Sequence, residues 1–292
     1  MLKNVFVVWG LLAFIFFDWL NAQSFKFQEI RDIPYYQGED FHPKKHRLDL
    51  YLPKIDSLAP VVLFVHGGAW VFGDRNVFGL EIFFSQVGRY LASQGIAVAI
   101  LSYRLGPRYK HPAQVVDIAR AFRFLQEHIV DYRGDPNRLF LMGYSAGGHL
   151  VSLLAMQEKW LLDEGCSFAQ IKGVINISGL YDLTKAKGVA RYTFGEELQN
   201  ASPLFHTKFV PFPIQLIQAE KDPRMLLESG LDFEIALKNH QVKVERNIIP
   251  ERNHFTLVSS LGKKQDLTSN LILKFIRRTC FELDIDHLLE NN

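Results

Sequence analysis

A serine held between glycines, an aspartate and a histidine occur in this 292-residue chain in an order that suits acyl transfer. Ser145 lies in Gly143-Tyr144-Ser145-Ala146-Gly147-Gly148, after the apolar run Leu139–Met142 and before a stretch that reads as helix. A G-x-S-x-G segment between strand and helix makes a sharp turn, the nucleophile elbow. The turn is so tight that a Cβ two residues to either side of the serine would strike the adjoining backbone. The hydroxyl is thereby held out at a helix N-terminus, where the macrodipole favours developing negative charge. An alcohol attacks only when a neighbouring base removes its proton. Downstream of Ser145 the histidines are His149, His206, His240, His254 and His287. His149 sits one turn into the predicted helix and points away, and His287 lies in a tail. His254 follows the predicted strand Val242–Ile249 and the polar loop Pro250-Glu251-Arg252-Asn253, the position of a base in an α/β sheet. Asp222, in the loop Glu220-Lys221-Asp222-Pro223 after the predicted strand Ile214–Ala219, is read as the acid that orients His254. Glu220 competes for that role but comes too early, at the strand end.

Acyl transfer also needs backbone N–H groups aimed where the tetrahedral oxyanion forms. Val65-His66-Gly67-Gly68-Ala69-Trp70 ends an earlier apolar run, and its glycines let the backbone come close to a substrate. Together with the residue after the nucleophile, this nominates Gly68, Ala69 and Ala146 as the oxyanion donors. His66 is read as bracing that loop and Trp70 as packing it.

These residues need a scaffold that delivers them to one edge. Residues 46–52 put Leu48, Leu50 and Leu52 on one face at period two, as in a half-buried strand. Val61–Val65 and Ile96–Leu101 are continuous apolar runs, which suits strands buried on both faces. Residues 80–93 read as helix. After Pro112, Val115, Ile118, Phe122, Leu125 and Ile129 recur at steps of three and four, an amphipathic helix. Gly173–Ile177 and Pro213–Ala219 are further short strands, and 225–239 and 266–278 further helices. Strands alternating with helices predict an α/β fold: a mostly parallel central sheet with helices on both faces. The text reads as one domain, 24–292, behind a leader at 1–23.

The leader is apolar from Met1 to Leu20 except for Lys3, Asn4, Gly10 and Asp18, and Asn21-Ala22-Gln23-Ser24 follows. A basic start, an apolar middle and a small or polar exit predict a signal peptide and an exported product, secreted or periplasmic. A membrane anchor is the competing reading, but the run Val5–Leu20 is short of the ~20 uncharged residues a span needs. No later run is long enough to span a bilayer. The net charge of +2 argues against a nucleic-acid partner. Two cysteines, Cys166 and Cys280, exclude a disulfide-dense scaffold and a Cys-rich zinc cluster; a bridge between them and two free thiols are both compatible with the sequence. Asn200-Ala201-Ser202 and Asn176-Ile177-Ser178 both match a glycosylation sequon, the second at a buried strand end.

The chain resembles the α/β-hydrolases, in the esterase/lipase branch that carries H-G-G-x-W. The matching text includes Leu48-Asp49-Leu50-Tyr51-Leu52-Pro53, His66–Trp70 with Gly73-Asp74, and Ser102-Tyr103-Arg104-Leu105. It continues through Pro112-Ala113-Gln114, Asp135-Pro136-Asn137-Arg138, the elbow, Ile177-Ser178-Gly179-Leu180-Tyr181-Asp182, Ser202-Pro203-Leu204, Asp222-Pro223 and Asn253-His254-Phe255. The resemblance implies Ser145 as nucleophile, Asp222 as acid, His254 as base, and donors around Gly68, Ala69 and Ala146, with no metal and no cofactor. Asp117 and Arg104 are structural in such folds. Ala69 stands where a third glycine is found in the H-G-G-G type. That places the chain nearer carboxylesterases, kynurenine-formamidase-like enzymes and carbohydrate esterases; the short stretch between the leader and the first core strand, which holds Val61, implies a small lid and an open site. The expected substrate is a small-molecule or carbohydrate ester, with small acyl groups such as acetyl. An amidase, formamidase or peptidase is the alternative chemistry, and a non-enzymatic binding module is a third reading that an intact triad disfavours.

Overall fold

The computed structural model describes residues 24–75, 82–186, 188–263 and 265–290. The predicted leader, 1–23, lies outside the described residues. Eight strands form one sheet: β1 Phe27–Pro34, β2 Arg47–Pro53, β3 Ala59–Val65, β4 Ala97–Leu101, β5 Gly134–Tyr144, β6 Ile171–Ile177, β7 Ile214–Lys221 and β8 Val244–Asn253. Their spatial order is β1-β2-β4-β3-β5-β6-β7-β8. β1 pairs with β2, and β2 with β4, antiparallel; every other pairing is parallel. The expected α/β architecture with a mostly parallel sheet is the one observed.

The α-helices are α1 Ile82–Ser93, α2 Ala113–His128, α3 Ala146–Met156, the short α4 Lys159–Leu162, α5 Val189–Phe194, α6 Arg224–Asn239, α7 His254–Ser259 and α8 Leu267–Glu290. Alternation along each buried strand divides the core in two. Val61, Leu63 and Val65 face one side with α2, α3 and α6, and Val62 and Phe64 face the other with α1, α7 and α8. A strand with apolar side chains on both faces has no polar edge to betray its period, so β3 and β4 read as unbroken apolar text. Cys166 and Cys280 are buried in these two separate layers, on opposite sides of the sheet, and form no disulfide with each other.

Near the start of α2, Asp117 is fully buried and receives Arg104 Nη2 at 2.7 Å, the Arg104 backbone N–H at 2.8 Å and His46 Nε2 at 3.0 Å. Arg104 also reaches Asp40 (2.8 Å), which Arg120 shares. This network ties the chain before β2 to α2, and its carboxylate is matched by donors on every side, as burial of a charge requires. Asn176 of one sequon is equally enclosed, donating to Gly148 O and Ser152 Oγ, whereas Asn200 is exposed.

Several elements differ from the sequence reading: the helix read as 266–278 is α8, which runs to Glu290 and takes in His287, and His254, read in a loop, opens α7. β1 was not anticipated. β5 begins at Gly134 rather than Leu139, and β8 runs through Pro250 to Asn253 rather than stopping at Ile249. β8 is the last strand in the sheet order, and a proline is tolerated at an edge because its missing N–H costs no ladder bond. Because β3, β5, β6, β7 and β8 are mutually parallel, their C-terminal ends open on one edge, and every candidate site residue lies at or just beyond one of those ends.

Candidate active site

Ser145 sits between β5 and α3 with φ 54° and ψ −116°, a backbone state that costs a non-glycine residue about 1–3 kcal/mol. The neighbourhood that holds it there is backbone on all sides. A Cβ on Gly143 would run into Gly147 O, and one on Gly147 into Val65 O and, at 2.7 Å, His66 O. The Ser145 N–H is itself spent on Ile177 O (2.8 Å), which anchors the elbow to β6.

His254 is the first residue of α7. Asn253 caps that helix reciprocally: its Oδ1 accepts from Thr256 N–H (2.9 Å) and its N–H donates to Thr256 Oγ1 (2.9 Å). From this position His254 Nε2 lies 2.9 Å from Ser145 Oγ and Nδ1 lies 2.8 Å from Asp222 Oδ1. The Asp222 side chain is wholly buried, while that of His254 is about one-third exposed. Asp222 Oδ2 accepts from Ser178 Oγ (2.5 Å) and from the Ala219 N–H (2.8 Å), so both carboxylate oxygens are committed. Tyr144 holds the ring from beneath: its hydroxyl donates to His254 O at 3.0 Å and the two rings are 5.1 Å apart. The structure therefore brings Ser145, Asp222 and His254 into one hydrogen-bonded line. Glu220 stays outside, exposed and accepting the Glu251 N–H.

The nominated oxyanion residues border the same place. Ala69 and Ala146 line a cleft with Ser145. Gly68 turns the loop at φ 124°, where a Cβ would collide with Phe72 O, and its carbonyl accepts from Val71 and Phe72. The N–H groups of Gly68, Ala69 and Ala146 donate to no protein acceptor among the described residues. Ala69 and Trp70 follow with φ 50° and 63°. His66 braces this loop: Nδ1 bonds Gly67 O (2.7 Å) and the ring stacks on Tyr103 at 4.4 Å. Burial pushes its pKa down to about 4, so it is neutral at pH 7. Trp70 Nε1 donates to His149 Nδ1 (3.1 Å), and His149 Nε2 donates to Ala201 O (2.7 Å). Both ring nitrogens of His149 are thus occupied, and burial lowers its pKa to about 3. His149 is a packing group between the Trp70 loop and the segment after β6.

The cleft has a volume of about 460 Å³. Besides Ala69, Trp70 and Ala146, its walls are Ser178 and Leu180, then Lys185, Ala186, Val189 and Ala190 after β6, and Met225 and Leu226 of α6. No group of three His, Cys, Asp or Glu side chains placed to hold a metal occurs among the described residues.

Ser178 and Tyr144 are the functional neighbours that motif reading missed. Ser178 is fully buried at φ 48°, just beyond β6. The sequence marks it as a hydroxyl residue followed by glycine at the end of an apolar strand, within the family-matching text Ile177–Asp182, and neither ties it to Asp222. A hydrogen bond to a charged group is worth roughly 1.5–3 kcal/mol. Ser178→Ala is therefore expected to lower kcat on a soluble ester by about tenfold or more with KM little changed. Steady-state kinetics check this, and an unaltered kcat would remove Ser178 from the positioning of Asp222.

The sequence model of the family BD-FAE matches residues 48–237. Isoprenylcysteine alpha-carbonyl methylesterase ICME of Arabidopsis thaliana is 41% identical over 257 residues, which take in 78% of this chain and 58% of that protein. Kynurenine formamidase of Danio rerio is 25% identical over 262 residues, 86% of this chain and 83% of its own length. The chain spans about half the length of the first curated relatives it matches. The crystal structure of Esterase B from Lactobacillus rhamnosis is similar with a TM-score of 0.75 at 22% identity, over 98% of this chain and 97% of that one, a likeness of fold.

Proposed function

The chain belongs to the BD-FAE family of α/β-hydrolase esterases, and from that premise we propose that it is a serine hydrolase of carboxylic esters. The observation that carries the reading is the unbroken line from Ser145 Oγ through His254 (2.9 Å) to Asp222 (2.8 Å). His254 Nε2 takes the Ser145 proton as Oγ attacks the ester carbonyl. The oxyanion forms towards the N–H groups of Gly68, Ala69 and Ala146. Asp222 remains ionised and stabilises the imidazolium. The tetrahedral adduct then collapses, His254 hands its proton to the leaving alcohol, and the acyl group stays on Ser145. A water, deprotonated by His254, attacks the acyl-enzyme; collapse releases the carboxylic acid and restores Ser145.

The finer parts of the proposal rest on other observations. The basic start and apolar body of residues 1–20 support export of the chain, secreted or periplasmic. Among the described residues, no helix is long and apolar enough to cross a membrane. Acetyl or other esters on carbohydrates are one substrate class compatible with a small lid. The likeness to kynurenine formamidase supports a second reading, in which the same triad cleaves a formamide.

One comparison separates these. The purified protein is expected to be labelled by a fluorophosphonate at Ser145, read by peptide mapping, and to turn over p-nitrophenyl butyrate at least 100-fold faster than N-formylkynurenine. The reverse preference would make it a formamidase. Absence of both labelling and turnover would make it a binding module on a hydrolase scaffold.

A further inference from the structure

The cleft beside Ser145 lies to one side of the triad. Its walls come from the Trp70 loop, the segment after β6 and the start of α6, and none of the residues lining it belongs to the 251–256 segment that carries His254. His254 has to protonate the leaving alcohol oxygen, so the alcohol half of an ester lies on the His254 side. Across the scissile carbonyl, the acyl half is left to the walled cleft. On the alcohol side Phe255, next to His254, is 60% exposed, so among the described residues it offers that half no enclosing wall.

The chemistry of the walls narrows the acyl group. Trp70, Leu180, Val189, Met225 and Leu226 offer apolar surface. Of the polar groups there, the Ser178 hydroxyl donates to Asp222, and the Lys185 ammonium is paired with Asp232 at 2.8 Å and Asp182 at 3.7 Å. A hydroxylated acyl group would give up its water for walls that offer few partners. Each buried methylene instead strengthens binding about fourfold. A volume of about 460 Å³ lies within the range of pockets for whole small molecules, well beyond the needs of an acetyl group.

We infer that this cleft is an acyl pocket that selects aliphatic acyl groups longer than acetyl, on the order of four to eight carbons, while the alcohol half is weakly selected. The inference rests on the ester-hydrolase reading and chooses within it, against an acetyl-ester specialist. Ala190 is the position at which a larger side chain takes up cleft volume: it lines the cleft, is 1% exposed, and belongs to the short helix α5.

The test uses the full chain and a series of p-nitrophenyl esters from acetate to octanoate, with methyl and butyl hexanoate and acetylated xylan beside them. kcat/KM is expected to rise at least tenfold from acetate to hexanoate, and to differ by less than about threefold between methyl and butyl hexanoate. In Ala190→Phe the hexanoate-to-acetate ratio is expected to fall at least tenfold. If that variant does not fold, Val189→Trp, at a 38% exposed position on the same wall, reads the same ratio. A flat series, a preference for acetate or acetylated xylan, or an unchanged ratio in the folded variant would overturn the acyl-pocket assignment. If instead no ester is cleaved and Ser145 takes no fluorophosphonate, it is the ester-hydrolase reading that fails.

Discussion

Ser145→Ala is expected to cut kcat on p-nitrophenyl butyrate by at least ten-thousandfold without unfolding the chain. The size follows from what the side chain does. In the proposed mechanism it supplies the oxygen that becomes covalently acylated, and removing a nucleophile leaves only what the oxyanion donors and binding contribute, a residual ~10³–10⁴-fold over water. The lack of unfolding follows from the backbone. Alanine has the same Cβ as serine, so the φ 54° state is no more costly in the variant. The anchoring bond runs from the Ser145 N–H to Ile177 O and is untouched. The lost hydrogen bond is to a partly exposed ring that water can serve. The measurement pairs initial rates with thermal melts of the purified variant. A folded Ser145→Ala protein that keeps more than one-hundredth of the activity would show that another group is the nucleophile.

Ser145, His254 and Asp222, which the structure brings into one hydrogen-bonded line, were legible because each has a local signature. Gly143 and Gly147 flank Ser145 for a steric reason that is the same in any such turn, and the structure supplies it in Gly147 O and Val65 O. Asp222 follows the apolar strand β7, and apolar strands are what burial on both faces writes into a sequence; His254 follows the edge strand β8, of which only Ile249 is buried, and was read from its place in the loop after that strand. Where burial is incomplete the signal fades. β1 lies at the sheet edge, pairs only with β2, and none of its residues is fully buried. Its Glu29 and Arg31 serve ion pairs with Arg89 and Asp49 rather than a core, so no alternation marks it. His254 read as a loop residue because its capping pair, Asn253 and Thr256, opens a helix of six residues, too short for periodicity.

The layer behind the triad was not legible for a different reason. Ser178 meets Asp222 across 44 residues of sequence, through the geometry of β6 and β7 ending side by side. Tyr144 reaches His254 O across 110 residues. No spacing rule links such pairs; only the parallel register brings them together. His149 is the converse. Helical periodicity took it off the catalytic face, and the structure adds its occupation, as acceptor from Trp70 and donor to Ala201 O. A motif thus names the candidate reacting groups, and the sheet decides which neighbours hold them.

Asp222→Asn tests that division more sharply than removal of the side chain would. The two oxygens of Asp222 are not equivalent: Oδ2 receives the Ala219 N–H at 2.8 Å and Oδ1 faces His254 Nδ1 at 2.8 Å. An asparagine must keep its oxygen towards Ala219, because turning its NH2 there would set donor against donor at a buried site. Its NH2 group then faces His254 and donates to Nδ1. The proton of the neutral ring moves to Nε2, which now points an N–H at Ser145 Oγ and can no longer accept a proton from it. Shape, volume and the Ser178 contact are all retained, because the Ser178 hydroxyl can still donate to the amide oxygen. The expected result is a folded protein with kcat lowered about ten-thousandfold. Adding Ser145→Ala to this variant should cost far less than Ser145→Ala costs the wild-type chain, because groups that act as one unit do not lose activity additively. Rates of the two single variants and the double variant on p-nitrophenyl butyrate decide it. A single Asp222→Asn variant with more than a tenth of wild-type kcat would mean that His254 holds its working tautomer without Asp222.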